Sequence, residues 1–161
     1  MFGFKRKKTK EQEMQEALEE LRAMPRPAAD FTTPEGAILC LEDAMRRRDI
    51  EAAVASKDFE VEGVLMLLKT MPDLASDTKL VAQTAETLEL AYRKELTGNW
   101  PNMEGVESYF VDCQPAFEDL SIVAVTEINL MPDGQLARAN LLVAKRNGQW
   151  KVLHPVDDEE E

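Results

Sequence analysis

Two dipeptides near the end of the chain constrain its fold more than any other feature. Asp133-Gly134 and Asn147-Gly148 supply the positive φ angles of tight two-residue turns, and alternating apolar and polar residues flank each. Between the turns Ala137, Ala139, Leu141 and Val143 share a face over residues 135–146, and Gln149-Trp150-Lys151-Val152-Leu153 forms the closing strand. Upstream, Leu120, Ile122, Ala124 and Ile128 alternate with Ser121, Val123, Val125, Glu127 and Asn129 over residues 120–130. Before them Val106, Ser108 and Phe110 alternate with Glu107, Tyr109 and Val111. The spacing predicts an antiparallel meander of long strands. Pro115, which has no N–H to give a ladder, either ends the first strand or confines it to a sheet edge.

Before residue 104 the period is helical. Residues 10–24 carry a thin apolar line, Met14, Leu18 and Leu21, enough for a solvated or loosely docked helix that Pro25 and Pro27 then break. A second helix starts at Thr32-Thr33-Pro34-Glu35. Either Thr33 caps it with Pro34 in first position, or Thr32 and Glu35 form a capping box. Its buried stripe is Ala37, Ile38, Leu41, Ala44 and Met45. Asp49 restarts a short helix, and Val61, Val64, Leu65 and Leu68 predict a further one before Pro72. The longest helix follows, capped by Asp77, with Val81, Ala85, Leu88 and Tyr92 inward and Glu89 paired with Arg93 outward. Helices followed by strands predict an α+β fold.

Charge narrows the function. The net charge is -12, yet the first ten residues hold five basic side chains and no acid, so fourteen basic residues face all 31 acidic ones in the remainder. Such a body repels phosphate backbones and anionic lipid, which argues against nucleic-acid partners, and it steers basic proteins toward itself. Met1, Phe2 and Phe4 beside the basic cluster suggest a surface anchor, but Glu11, Glu13, Glu16, Glu19 and Glu20 oppose one. The polar stretch from Thr9 to Glu20 stands where a signal peptide needs an apolar core, and no run is long enough for a membrane span, so a cytoplasmic location without stable membrane insertion is expected. Cys40 and Cys113 lack metal-ligand or C-x-x-C spacing and are expected as free thiols. Neither a metal nor a cofactor is expected.

The helix opening Thr32-Thr33-Pro34-Glu35-Gly36-Ala37, the step Asp49-Ile50-Glu51-Ala52 and the closing Asn147-Gly148-Gln149-Trp150-Lys151-Val152 together resemble the nuclear transport factor 2-like superfamily. The resemblance covers residues 32–156. It leaves residues 1–31 as a basic leader, helix and Pro-containing linker, and residues 157–161 as a disordered acidic tail. It implies that the helices pack in the concave face of a strongly curved antiparallel sheet, a cone, and that homodimers through the sheet face are possible. The acidic, leucine-rich stretch 60–71 is bulkier than the minimal member and is expected to cap or fill the cone.

Enzymes of that superfamily place an acid-base residue inside the cone, and the lone histidine, His154, is the candidate base here, with Tyr109 and Trp150 as fellow pocket residues. No second titratable group can be placed beside it by spacing, and no catalytic residue is assigned. The other reading is an interaction module. Glu104, Glu107, Asp112, Glu118 and Asp119 cluster around the first strand as an acidic rim, and Trp100 beside Pro101 is a candidate interface anchor. Bacterial immunity proteins of the superfamily, which neutralise a cognate toxin, fit an acidic chain without catalytic residues. The expected function is therefore a non-catalytic antitoxin-type protein binding a basic partner. The alternative is a ligand-binding or dehydratase/isomerase-type pocket. Arg46, Arg47 and Arg48 point about 100° apart on a helix and cannot share one anion.

Overall fold

Both dipeptides sit in hairpin loops, but only Asn147-Gly148 forms a two-residue turn; at the other, Met131 bonds to Gln135 across Pro132-Asp133-Gly134 and the glycine alone takes positive φ. In the computed structural model, which describes residues 7–154, Asn147 and Gly148 both take positive φ, 53° and 77°, the pair of angles a two-residue hairpin matching strand twist needs. Gly134, at φ 86°, turns the preceding hairpin with its N–H donating to the Met131 carbonyl at 2.9 Å. Four antiparallel strands result, β1 (Glu107–Phe117), β2 (Ile122–Leu130), β3 (Leu136–Arg146) and β4 (Gln149–Val152), in the spatial order β1-β2-β3-β4. β1 is thus an edge strand and runs on through Pro115, which sits opposite Val123. Its register against β2 slips twice, between Phe110 and Asp112 and between Pro115 and Phe117, so Val111 and Ala116 are extra, bulged residues. With five α-helices among the described residues the fold is α+β.

Register assigns the sheet's two faces. Val123 pairs with Val143, Val125 with Leu141, and Val143 with Val152, so these side chains project together toward α2 (Pro34–Arg47). Ala37 and Ile38 of α2 complete that core, with Phe31, Leu41, Phe110 and Trp150 packed around it. Thr33 caps α2, its hydroxyl accepting from the Gly36 N–H at 3.0 Å, which selects the first of the two start readings. Gly36 is required there: a Cβ would stand 2.4 Å from the Asp30 carbonyl oxygen and 2.5 Å from that of Ala28.

The alternate residues face the other way. Ile122 and Ala144 meet Leu65 of α4 (Phe59–Thr70) at one end of this second face, together with Leu153. Tyr109 and Leu130 meet Leu21 of α1 (Lys10–Ala23) at the other end. Helices therefore cover both faces. The chain changes faces by passing α3 (Ile50–Ala55) and running along the outer edge of β4, where the Val152 N–H donates to Ser56 and its carbonyl accepts from the Asp58 N–H. Asp58 then caps α4. α5 (Thr78–Gly98) closes the helical side, its Leu96 buried with Ala44 of α2 and Ala53 of α3.

One expected stripe shifts. Along α4 it is Leu65 and Leu67 that are buried, while Leu68 is 44% exposed. The helix is gripped from two sides, by the sheet through Leu65 and by α5, whose Val81 carbonyl lies 3.3 Å from where a Gly63 Cβ would stand. A single-sided pattern cannot describe such a helix. α1 is held by Leu21 with Leu18 beside it, and Met14 is exposed. The aromatic and basic residues at 1–6 and the acidic tail 157–161 lie outside the described residues.

Candidate functional site

The acidic residues expected to meet a partner lie in β1 and at its two ends. From Val111 to Asp119 every residue is exposed, on a strand that lies at the edge of the sheet. Asp112 stands just after the first bulge, its Oδ1 accepting from the Cys113 N–H at 3.0 Å and the Gln114 Nε2 at 2.9 Å. Glu118 and Asp119 occupy the 3-10 turn that ends the strand, with the exposed ring of Phe117 beside them. Glu104 is exposed just before the strand. Glu107 is differently used. It accepts from the Tyr109 hydroxyl at 2.5 Å and pairs with Arg22 of α1 at 3.4 Å, and these two contacts, the hydroxyl foremost, hold its carboxyl below the usual range. Trp100 stands apart from this row, half-buried against the cluster of Ala44, Ala53 and Leu96.

The three pocket residues are not brought together. Tyr109 is buried on the α1 side of the sheet, Trp150 packs on the opposite face with Ala37 and Ile38, and His154 is exposed beyond the end of β4. The His154 backbone N–H donates to Glu62. A hollow of about 310 Å³ borders Tyr109 between the linker Met24–Pro27 and the β1 edge, and neither Trp150 nor His154 lines it.

Two buried charged clusters escape sequence reasoning. Beneath α2, Glu42 and Glu127 are both almost fully buried, with Ser108 donating from its hydroxyl to Glu42 at 3.3 Å or Asn129 at 2.9 Å. Asn129 in turn donates to Glu127 at 3.0 Å. Burial, then the hydrogen bond and negative charge of Glu42, push the Glu127 carboxyl up to about 8. Each glutamate keeps one oxygen without a partner, and neighbouring carboxyls out of water disfavour a second negative charge. Glu127 falls in the alternation of Val123 and Val125, and Glu42 follows Ile38 by one helical turn. An acid on an otherwise apolar face was the available signal.

The second cluster lies between α4, α5 and β4. Lys57 donates to Glu62 at 3.0 Å, with side chains only 2% and 7% exposed, and its ammonium sits 4.4 Å from the Tyr92 ring centroid. Burial lowers the Lys57 pKa against the opposing pull of Glu62, and burial first, then Glu62 and Glu95, raises that of the Tyr92 hydroxyl. No periodicity marks Lys57, which falls between two helices. Among the described residues no group of three or more His, Cys, Asp or Glu is arranged to hold a metal, and no helix is long and apolar enough to cross a membrane. In comparisons with known proteins, no family model, no curated protein and no solved structure matches the chain.

Proposed function

We propose that this chain is a non-catalytic protein-binding module: an acidic, cytoplasmic protein of the nuclear transport factor 2-like superfamily, of the immunity or antitoxin type, that neutralises a basic partner by covering it. The observation that carries the reading is the exposed run from β1 into the turn that follows it, where Asp112, Glu118 and Asp119 stand with the exposed side chains of Val111 and Phe117. Acidic groups steer a basic partner and the two apolar groups give it something to bury. The bulge at Val111 and Pro115, without an N–H, interrupt the strand's outer hydrogen-bonding row, so the partner engages side chains and does not extend the sheet. Supporting this over catalysis, the clustered titratable side chains, Lys57 with Glu62 and Glu42 with Glu127, are packed away from solvent.

The pocket reading keeps one observation, the hollow beside Tyr109, and lacks a titratable base in it among the candidates, since His154 stands elsewhere. Affinity capture at low salt separates the two. The intact chain should retain one basic protein in stoichiometric amount, association should slow as salt rises, and the triple reversal Asp112→Lys, Glu118→Lys, Asp119→Lys should abolish retention. Retention of no specific protein, or retention indifferent to the reversal, would end this reading.

A further inference from the structure

The seat of α1 has a recognisable chemistry. Its floor is Tyr109, Ile128 and Leu130, and onto it α1 lays Leu18 and Leu21, one turn apart. At the rim Glu107 accepts from Arg22, and the Arg26 guanidinium lies 5.8 Å over the Tyr109 ring. The seat thus takes a helix that presents two leucines followed by an arginine, with a second arginine in the linker that follows. A hollow of about 280 Å³ borders Leu18 and Arg22 of α1, so the helix only partly fills the space beside it, and one of about 310 Å³ lies past its end beneath the linker Met24–Pro27.

α1 is a weak occupant of that seat. Among the described residues its single hydrogen bond to the sheet is Arg22 to Glu107, at 3.4 Å and with both side chains about half exposed, and it makes no main-chain bond to it. Helices of this length are marginal by themselves, so two leucines do most of the holding. The charge is also wrong. Glu11, Glu13, Glu16, Glu19 and Glu20 are all exposed on a molecule whose net charge is -12, and Glu35 and Glu107 already border the two hollows. A segment with the same leucines and arginines but a basic outer surface would replace repulsion with attraction.

We propose that the face of β1 and β2 beneath α1 is the docking site for a basic amphipathic helix of the partner, and that α1 occupies this site until the partner displaces it. The proposal rests on the reading of the protein as a binder of a basic partner and names where on β1 that partner anchors. The site adjoins the acidic row, Tyr109 and Asp112 lying on one strand either side of the bulge at Val111.

The test uses the full chain and two synthetic peptides of residues 7–27, one native and one with its five glutamates replaced by lysine. Binding is read by fluorescence anisotropy. The lysine peptide should bind more tightly than the native one and lose affinity with added salt. Two variants that loosen α1, Leu21→Ala and the exposed Arg22→Glu, should each strengthen its binding by about tenfold, the gain expected when a seat free a tenth of the time becomes fully free. Arg22→Glu changes a surface side chain, so its outcome does not depend on the core tolerating a cavity. Equal affinity for the two peptides, or affinity unmoved by both variants, overturns the proposal. If a basic protein is captured with the same affinity by the intact chain and by both variants, the docking site falls and the partner reading stands. If the lysine peptide behaves as expected but no basic protein is captured, the site stands and the partner reading falls.

Discussion

The two buried charged clusters solve the same problem in opposite ways. Between α4 and α5, Lys57 and Glu62 bring opposite charges together, and each neutralises the other inside a wall formed by Phe59 and Tyr92. Beneath α2, Glu42 and Glu127 bring like groups together, and burial with the neighbouring Glu42 keeps the Glu127 carboxyl protonated up to about pH 8. The first cluster needs its partner residue. The second needs its solution to be acidic enough. Composition counts both as charged residues of an acidic protein, yet one is a fixed feature of the fold and the other depends on pH.

The largest way to break this contrast is to remove half of the ion pair. Lys57→Ala leaves Glu62 buried without its cation and should lower unfolding free energy by about 3–5 kcal/mol, read from the urea midpoint. Replacing both, Lys57→Met with Glu62→Leu, should recover most of that loss, because the penalty comes from the orphaned charge and not from the missing attraction. A double variant no better than the single one would show that the pair is worth more than its packing.

The carboxyl pair makes the next prediction. Folded Glu127 keeps its proton up to about pH 8, whereas unfolded it releases the proton near the ordinary value of 4.5. The folded state therefore binds more protons between those values, and stability should fall as pH rises from about 4.5 to about 8 and then level off. Glu51 and Glu107, whose carboxyls are held low by Arg93 and by Tyr109 with Arg22, act oppositely, and their contribution is lost as pH drops below that window. A maximum near the acidic edge of the window follows. At about 1.4 kcal/mol for each pH unit of displacement the fall should amount to a few kcal/mol. Glu127→Gln should flatten it and make the protein more stable than the parent at pH 8, as urea titrations at several pH values will show.

The same contrast explains what was legible beforehand. Turns, caps and strands are short-range and readable: Asn147-Gly148 dictates its own angles, and Thr33, Asp49 and Asp77 each cap the helix that follows. The acidic residues of β1 could be grouped because consecutive strand residues stay together. Tyr109, Trp150 and His154 could not be grouped correctly, since Tyr109 and Trp150 project from opposite faces and β4 ends at Val152, before the histidine. Glu42 and Glu127 are 85 positions apart, and although each is an acid on an apolar face, nothing local shows that tertiary packing will set the two together out of water. Trp100, a candidate interface anchor because its loop has no apolar period, is half-buried with Leu96 of α5.

A smaller effect sharpens the carboxyl pair. The Ser108 hydroxyl is one of two uncharged groups that link Glu42 to Glu127, the other being Asn129. Ser108→Ala removes one donor without adding bulk and should cost about 1 kcal/mol at pH 5, where the pair already has its own proton. At pH 8 the cost should grow, because an ionised pair has greater need of a donor. Thermal melts at the two pH values compare them directly, and an equal loss at both would mean that Ser108 serves only Asn129.

The smallest effect belongs to ion pairs that resemble Lys57–Glu62 in chemistry and differ only in solvent. Arg93 reaches Glu51 at 2.6 Å and Glu89 at 3.2 Å, a better-connected cation than Lys57 by distance alone. Its carboxylate partners remain largely in water, though, so removing Arg93 strands no buried charge and salt already screens what attraction there is. Arg93→Ala should leave the urea midpoint within experimental error of the parent at 0.15 M salt or above, about the physiological ionic strength. A loss approaching that of Lys57→Ala would mean that distance, and not burial, decides which charges this fold depends on.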